Sequence, residues 1–419
     1  MLRYTRDMTP FAMAKKPSKQ YPFLLPLIWL AAFWDTRKLG LKIDKVGMKG
    51  IKPPYLVIAT HQGPADYSAA PLAMFPHRAM YVSDMEGFAW YGKWLYRGLG
   101  CIGKRRFVSD IRVVRNMQYA IEKKQAVWVY PESRHSNVGT TAYIPKNLGK
   151  LCKMMDVPVV LFTLDGSYLA NPFWNELRGR RVKARGQMEL LFSQEEVREK
   201  DEAQLQKAIF EGLQYDEYDY QKSYGILIKE KFRAEGLHMP LYICRKCGTR
   251  HAMISHGDTL ECSACKREYL LREDGLLQEK ADSGETFRIP DWYEWERMLE
   301  IRECENDARR LRRQYEVKVE ALPSEKGFVD MGTGVLAMDE KEFTLQVQTK
   351  VLHFPHRIRE SVQTEYDYRG KKGKAIVLST RDCCYYLYCD DKEFNPTQLQ
   401  FLGEWLYQKQ GGTFNSHVD

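Results

Sequence analysis

The stretch Tyr55-Leu56-Val57-Ile58-Ala59-Thr60-His61-Gln62-Gly63-Pro64-Ala65-Asp66 decides how this chain is read. Its first half is a continuous apolar run, the pattern of a strand buried on both faces. The character changes at His61. Gly-Pro ends an extended run, and proline suits the first helical position, where its missing N–H would have no partner anyway. The reading is strand, tight turn, helix, with His61 at the strand end and Asp66 in the first helical turn. On one unbroken helix these two residues would lie about 140° apart and could not touch. The turn removes that objection, and the helix dipole favours the ionised form of Asp66. A histidine base oriented by a carboxylate is a recurrent way to activate a hydroxyl. No G-x-S-x-G elbow is present, so the hydroxyl to be activated is the substrate's own.

Further along, Ala79–Val82, Ala126–Tyr130, Val157–Leu164 and Gln187–Phe192 read as strands. Between them Ile111–Lys124 places Ile111, Val114, Met117 and Ile121 near one helical face, with Ser109 as its N-cap. Strands alternating with helices predict an α/β domain with a mixed, largely parallel sheet over residues 51–235, closed by a charged and mostly helical stretch from 193.

Residues 1–50 are different. Tyr21–Trp34 (YPFLLPLIWLAAFW) is apolar and aromatic, is interrupted by Pro22 and Pro26, and falls short of the ~20 residues that span a bilayer. No A-x-A-like cleavage site follows it. With basic residues on either side, it predicts a contact with a lipid interface, made by a cytoplasmic protein that is peripheral or monotopic at the inner face of the cell membrane. A buried core helix is the plainer alternative. The net charge of +9 is concentrated towards this end: residues 1–50 carry ten Lys/Arg against three Asp/Glu, and residues 51–150 carry fourteen against six. A polyanionic partner would be drawn there, anionic lipid as well as nucleic acid.

Cys244-x-x-Cys247 and Cys262-x-x-Cys265 are two knuckles separated by fourteen residues, the spacing of a closed four-thiolate zinc site. Four protein ligands leave no open position, so the zinc is expected to be structural, in a ribbon over 241–270, and no catalytic cofactor is expected. His251 and His256 lie between the knuckles as possible substitutes. Residues 288–316 read as one long polar helix linking to the last domain. From Lys326 the pattern turns to short β-like runs (GFVDMG, GVLAMD, EFTLQVQ, KVLHF, VQTEYDY, KAIVLST, CYYLYCD) and a final helix from about Pro396. Seven strands and one helix predict a β-barrel-like domain of PH or GRAM type over 326–410.

Four ordered blocks resemble the glycerolipid acyltransferase family, which includes the 1-acylglycerol-3-phosphate acyltransferases. His61 and Asp66 match its H-x-x-x-x-D block. Gly100-Cys101-Ile102-Gly103-Lys104-Arg105-Arg106 is similar to a second block whose Arg meets the acceptor phosphate, with Arg106 in register. Tyr130-Pro131-Glu132-Ser133-Arg134-His135-Ser136 resembles F-P-E-G-T-R-S, with the Arg one residue early and His135 in its place. Val157-Pro158-Val159-Val160 resembles the apolar fourth block. The resemblance covers about residues 50–195. It implies acyl transfer from an acyl-CoA or acyl carrier protein to the hydroxyl of lysophosphatidic acid or a related lysophospholipid, in phospholipid biosynthesis at a membrane surface. His61 would act as base, Asp66 as its partner, and Arg106, Glu132 and Arg134 would contact substrate.

A second reading is a non-catalytic membrane or nucleic-acid adaptor built on the ribbon and the β domain. The basic excess lies in residues 1–150 and not around the ribbon, so no nucleic acid is expected as a partner.

Overall fold

The run Leu56–Ala59 is the central strand of a seven-stranded sheet, and all four of its side chains are buried. The computed structural model describes residues 3–280, 284–366 and 373–411. In chain order the first unit consists of α1 (Leu25–Thr36), β1 (Lys42–Val46), β2 (Leu56–Ala59), α2 (Ala65–Met74), β3 (Ala79–Asp84), α3 (Met85–Tyr91), α4 (Lys93–Gly98) and β4 (Cys101–Lys104). It continues with α5 (Ile111–Glu122), β5 (Ala126–Val129), α6 (Leu148–Met155), β6 (Val159–Asp165), α7 (Ser167–Ala170), β7 (Arg185–Phe192), α8 (Gln194–Glu199), α9 (Glu202–Gly212) and α10 (Glu217–Ser223). The strand order is β1-β7-β6-β2-β5-β3-β4. Only the β6–β7 pair is antiparallel, so this is the mixed, largely parallel sheet expected from the alternating pattern. α5 is capped by Asp110, whose carboxylate accepts from Arg112 N at 2.9 Å, one residue after the expected Ser109.

The parallel strands β2, β3, β4 and β5 all point the same way, and in such sheets ligands bind beyond the carboxyl ends of the strands. His61 follows β2, Asp84 ends β3, Lys104 ends β4 and Glu132 follows β5. The sheet thus brings together residues far apart in sequence. Trp128 in β5 is fully buried against Phe162 and Tyr130, and Trp→Ala changes at such sites typically cost 3–5 kcal/mol.

The second unit is a five-stranded antiparallel sheet of β8 (Met253–His256), β9 (Thr259–Cys262), β10 (Glu268–Leu271), β11 (Leu277–Glu279) and β12 (Thr286–Phe287). Of the four knuckle cysteines, Cys244 and Cys247 precede β8, Cys262 ends β9 and Cys265 follows it. The helix expected over 288–316 is α11 and runs only Ile289–Asn306. Asp307 ends it in an extended conformation and instead caps a short 3₁₀ turn by accepting from Arg309 N. Strand then starts at Arg313, where Tyr315, Val317 and Val319 are buried and Glu316 and Lys318 exposed. That period of two outweighs the run of charges that reads as helix.

The last unit has the seven strands and single helix expected from the sequence, with the strands in one antiparallel sheet. Its strands are β13 (Arg313–Ser324), β14 (Gly327–Met338), β15 (Glu342–Val347), β16 (Lys350–Pro355), β17 (Gln363–Tyr366), β18 (Lys374–Ser379) and β19 (Cys384–Cys389), followed by α12 (Pro396–Lys409). The sheet order is β16-β15-β14-β13-β19-β18-β17. GFVDMG and GVLAMD are one strand, β14, and β13 takes the place left in the count.

The three sheets share buried cores. Tyr242, Ile243, Tyr269, Trp292, Tyr366 and Phe401 pack into the same cluster as Val57 and Trp128. Leu322, Phe328, Val377 and Tyr386 join the cluster on the opposite face of the first sheet. The N-terminal residues tie the ends together: Tyr4 Oη donates to Glu320 at 2.5 Å and Phe11 N to Pro323 O at 2.9 Å.

Candidate active site

His61 Nδ1 lies 3.0 Å from Asp66 Oδ2. Asp66 is the focus of four donors. Gln62 N and Gly63 N donate to the same Oδ2 at 2.6 and 3.0 Å, and Ser167 Oγ donates to Oδ1 at 2.6 Å. A carboxylate accepts only, so the hydrogen between it and the ring sits on Nδ1, and Nε2 keeps its lone pair. Gly63 is required by close approach: a Cβ there would meet the Ser167 carbonyl oxygen at 2.9 Å. Burial, helped by the Arg106 charge and opposed by Asp84, holds the His61 imidazole down at about 3, so it stays neutral near pH 7. Burial lifts Asp66 to about 6 against the pull of Ser167, His135 and the two backbone amides.

The His61 ring is held by its neighbours. It stacks on Tyr130 at 4.3 Å between centroids and meets the edge of His135 at 4.4 Å. Tyr67 Oη is 3.4 Å from Nε2. The backbone is held by Glu132: His61 N donates to Oε1 at 2.8 Å, while Ala142 N and Tyr215 Oη donate to Oε2, both at 2.9 Å. Glu132 is 1% exposed, so its carboxylate is used within the protein and fixes the position of His61.

A small pocket is lined by His61, Tyr67, Ser83, Asp84, Lys104, Arg106, Tyr130 and Ser133. It shares Tyr67, Asp84, Arg106 and Tyr130 with a largely apolar cavity of about 770 Å³. Leu27, Ile28 and Ala31 of α1, Pro71 of α2 and Trp90 of α3 wall that cavity. Its size suits a lipid-sized apolar chain; Asp84, Glu86 and Arg106 form a polar end beside His61, and Gln20, Asp35 and Ser68 are further polar lining residues. Two cations face that polar end. Lys104 Nζ donates to Ser133 Oγ at 2.7 Å, and Arg106 pairs with Asp84 and lies 3.7 Å from Glu86. Arg105, between them in sequence, points away and donates to the carbonyls of Pro323, Arg381 and Asp382.

Residues 42–164 match the sequence model of the family described as Acyltransferase. That segment of the α/β unit is an acyltransferase domain. No curated protein matches the chain. Among solved structures, part of the chain is similar to the 1-acyl-sn-glycerophosphate (LPA) acyltransferase PlsC from Thermotoga maritima, at 17% identity and a TM-score of 0.36, over 46% of this chain and 77% of that one.

Arg134 does not line the pocket that holds His61 and Arg106. The acyltransferase domain uses it to clasp the C-terminal domain: Nη2 is 3.2 Å from Glu404 Oε1 and Nη1 donates to Ser361 Oγ at 3.2 Å. Arg297 of α11 holds the other Glu404 oxygen at 2.5 Å. Burial alone would raise the Glu404 carboxyl, but Arg134 and Arg297 keep it below its usual value. His135, next in sequence, is the side chain that stays beside His61.

Sequence reasoning missed Ser167, Tyr67, Asp84, Glu86 and Lys104. Lys104 lay inside a block already singled out. Ser167 and Asp84 carried no sequence signal, because only the sheet sets them beside His61.

In the ribbon, the sulfur atoms of Cys244, Cys247, Cys262 and Cys265 all lie within 4.8 Å of one another. The Cys244–Cys265 and Cys247–Cys262 separations are both 3.7 Å. A tetrahedron with metal–sulfur bonds of ~2.3 Å has edges of roughly 3.8 Å, so the cluster fits a zinc ion. Each knuckle closes on itself, Gly248 N donating to Cys244 O and Lys266 N to Cys262 O. Gly248 (φ 70°) and Lys266 (φ 59°) both take the left-handed conformation that this turn needs. His251 and His256 are not in the cluster; His251 stacks on Tyr242.

Proposed function

We propose that this protein transfers a fatty acyl group from a thioester, acyl-CoA or acyl carrier protein, to the hydroxyl of a lysophospholipid, as a step in phospholipid biosynthesis. The observation that carries the reading is the His61–Asp66 pair, with His61 lining a small pocket that shares residues with an apolar cavity of an acyltransferase domain and Nε2 3.4 Å from Tyr67 Oη. His61 Nε2 takes the acceptor's hydroxyl proton as the oxygen attacks the thioester carbonyl. Collapse of the tetrahedral intermediate breaks the C–S bond, and the proton passes from the imidazolium to the departing thiolate. Lys104 and Arg106 are the cations placed to meet the acceptor phosphate.

The acceptor and the acyl chains reach the site from a membrane surface. Among the described residues no helix is long and apolar enough to cross a membrane. Supporting surface contact, Phe23, Leu27, Leu30, Phe33 and Trp34 are more than half exposed, as are Phe75, Tyr91 and Trp94. They join through Phe23–Trp94 and Trp29–Phe75 ring contacts, and Arg37 lies over Trp34. A continuous apolar, aromatic face of this kind with basic residues at its edge fits a lipid interface. A structural zinc in the ribbon completes the protein.

The test is a thioester–lysolipid assay with full-length protein and with His61→Ala. Wild type should release thiol and form the diacyl product, and His61→Ala should lose roughly 10²–10⁴ in rate while keeping its fold. Near-normal turnover by purified His61→Ala would overturn the mechanism.

A further inference from the structure

The cation expected to meet the acceptor phosphate is hemmed in by acids. Arg106 pairs with Asp84 Oδ2, lies 3.7 Å from Glu86 Oε2, and is 4.0 Å from Glu365 Oε1. The first two line the cavity wall alongside Arg106, and Glu365 reaches in from β17 of the C-terminal domain. Counting Lys104, the lining of the site sets two carboxylates, Asp84 and Glu86, beside two cations, with Glu365 buried behind Arg106.

These carboxylates are fixed in place. Asp84 is the N-cap of α3: its Oδ1 accepts from Glu86 N at 3.0 Å and Gly87 N at 3.3 Å, leaving Oδ2 turned to Arg106. Glu86 Oε1 accepts from Tyr386 Oη of β19 at 2.8 Å. Asp84 cannot swing away without breaking the cap, nor Glu86 without giving up its bond across the domain boundary. A phosphate monoester with two negative charges, docking on Arg106, would sit against both. Like charges placed together in this way discriminate against a ligand as strongly as matched charges select for one.

We propose that the preferred acceptor is a lysophospholipid whose phosphodiester carries an ammonium group, of the ethanolamine type, its phosphate facing Lys104 and Arg106 and its ammonium received by Asp84 and Glu86. This rests on the acyl-transfer reading above and names the substrate class within it. A primary ammonium donates up to three hydrogen bonds and adds a second positive charge beside the two carboxylates that already face Arg106. The C-terminal domain takes part in this choice, because Tyr386 holds Glu86 in place and Glu365 lies 4.0 Å from Arg106.

The test compares three acceptors on the full-length protein, with saturating acyl-CoA and separately with saturating acyl carrier protein thioester: lysophosphatidylethanolamine, its N-acetylated derivative, and lysophosphatidic acid, all with the same acyl chain. Lysophosphatidylethanolamine should show a kcat/KM at least tenfold above the other two. Asp84→Asn and Glu86→Gln should each shrink its advantage over the N-acetyl compound by about tenfold. Asn still caps a helix, and a Gln oxygen still accepts from Tyr386, so both variants keep the frame. Lysophosphatidic acid as the best acceptor, or equal use of the N-acetyl compound, would overturn the proposal. Equilibrium binding of the same three lipids is measured beside turnover. Tighter binding of lysophosphatidylethanolamine with no turnover from either thioester class would overturn the acyl-transfer reading while supporting the headgroup assignment.

Discussion

Glu132 Oε1 accepts a hydrogen bond from the backbone N–H of His61 at 2.8 Å, across 71 residues of sequence. The bond joins the end of β2 to the turn after β5 and sets where the imidazole stands. Its second oxygen takes Ala142 N and Tyr215 Oη, so the carboxylate is a hub for three segments.

Glu132→Ala should therefore lower kcat by about 10²-fold with little change in the acceptor KM, since small misplacements of a catalytic group cost that much. The buried His61 N–H would also lose its acceptor, at roughly 1–3 kcal/mol in stability, and the part-buried Ala142 N and Tyr215 Oη would lose theirs. Steady-state kinetics and urea unfolding measure both. A raised acceptor KM at unchanged kcat would return Glu132 to a direct substrate contact.

The pH profile follows from burial of His61. Its folded value, about 3, is depressed below the ordinary 6.5, so the base is already neutral near pH 5. The acid limb of kcat/KM should lie well below 6.5. For stability the sign is that of a depressed group: the contribution is present above 6.5 and is lost as pH falls towards 3, at up to ~1.4 kcal/mol per pH unit. Urea unfolding of wild type and His61→Gln at about pH 7.5 and about pH 5 isolates this, and the variant should gain relative to wild type on acidification. An acid limb near 6.5 would show the imidazole to be ordinarily solvated.

Arg134 and Arg106 should separate cleanly. Arg134→Ala leaves Glu404 buried with one cation fewer, and breaking a buried pair typically costs 3–5 kcal/mol. Its signature is loss of stability and loosened packing between the acyltransferase and C-terminal domains, visible by limited proteolysis. Arg106→Ala should instead weaken acceptor use by about 10- to 150-fold, with Lys rescuing only part of it. A stable Arg134→Ala protein with a large acceptor defect would assign the phosphate to Arg134.

Metal analysis should find one zinc per chain. Cys244 and Cys262 are fully buried in the core that also contains Ile243 and Trp292, and Trp292 Nε1 donates to Ile243 O at 3.0 Å. Chelation should therefore loosen α11 as well as the ribbon, because the binding energy of a structural site is also folding energy. Tryptophan emission and hydrogen exchange over α11 report this. Metal-free protein, purified without chelator and fully folded, would argue against the site.

Local sequence determined the features whose physics is local. A buried parallel strand needs an apolar run, and Gly63-Pro64 must break it, so β2, the turn and the start of α2 were legible from residues 55–66. The cysteine knuckles were legible because a four-thiolate site demands their spacing, and their sulfurs converge as that spacing implies. Only the tertiary structure decided what each charged side chain faces. Lys104, Arg105 and Arg106 are one basic run in sequence, yet the first and third line the pocket while the second anchors the C-terminal domain. Arg134 and His135 divide in the same way, towards Glu404 and towards His61. Asp84, Glu86 and Glu365 gather around Arg106 because the ends of parallel strands converge and a second domain docks against them. Such pairings depend on burial and on contacts across tens to hundreds of residues, and no local pattern encodes them.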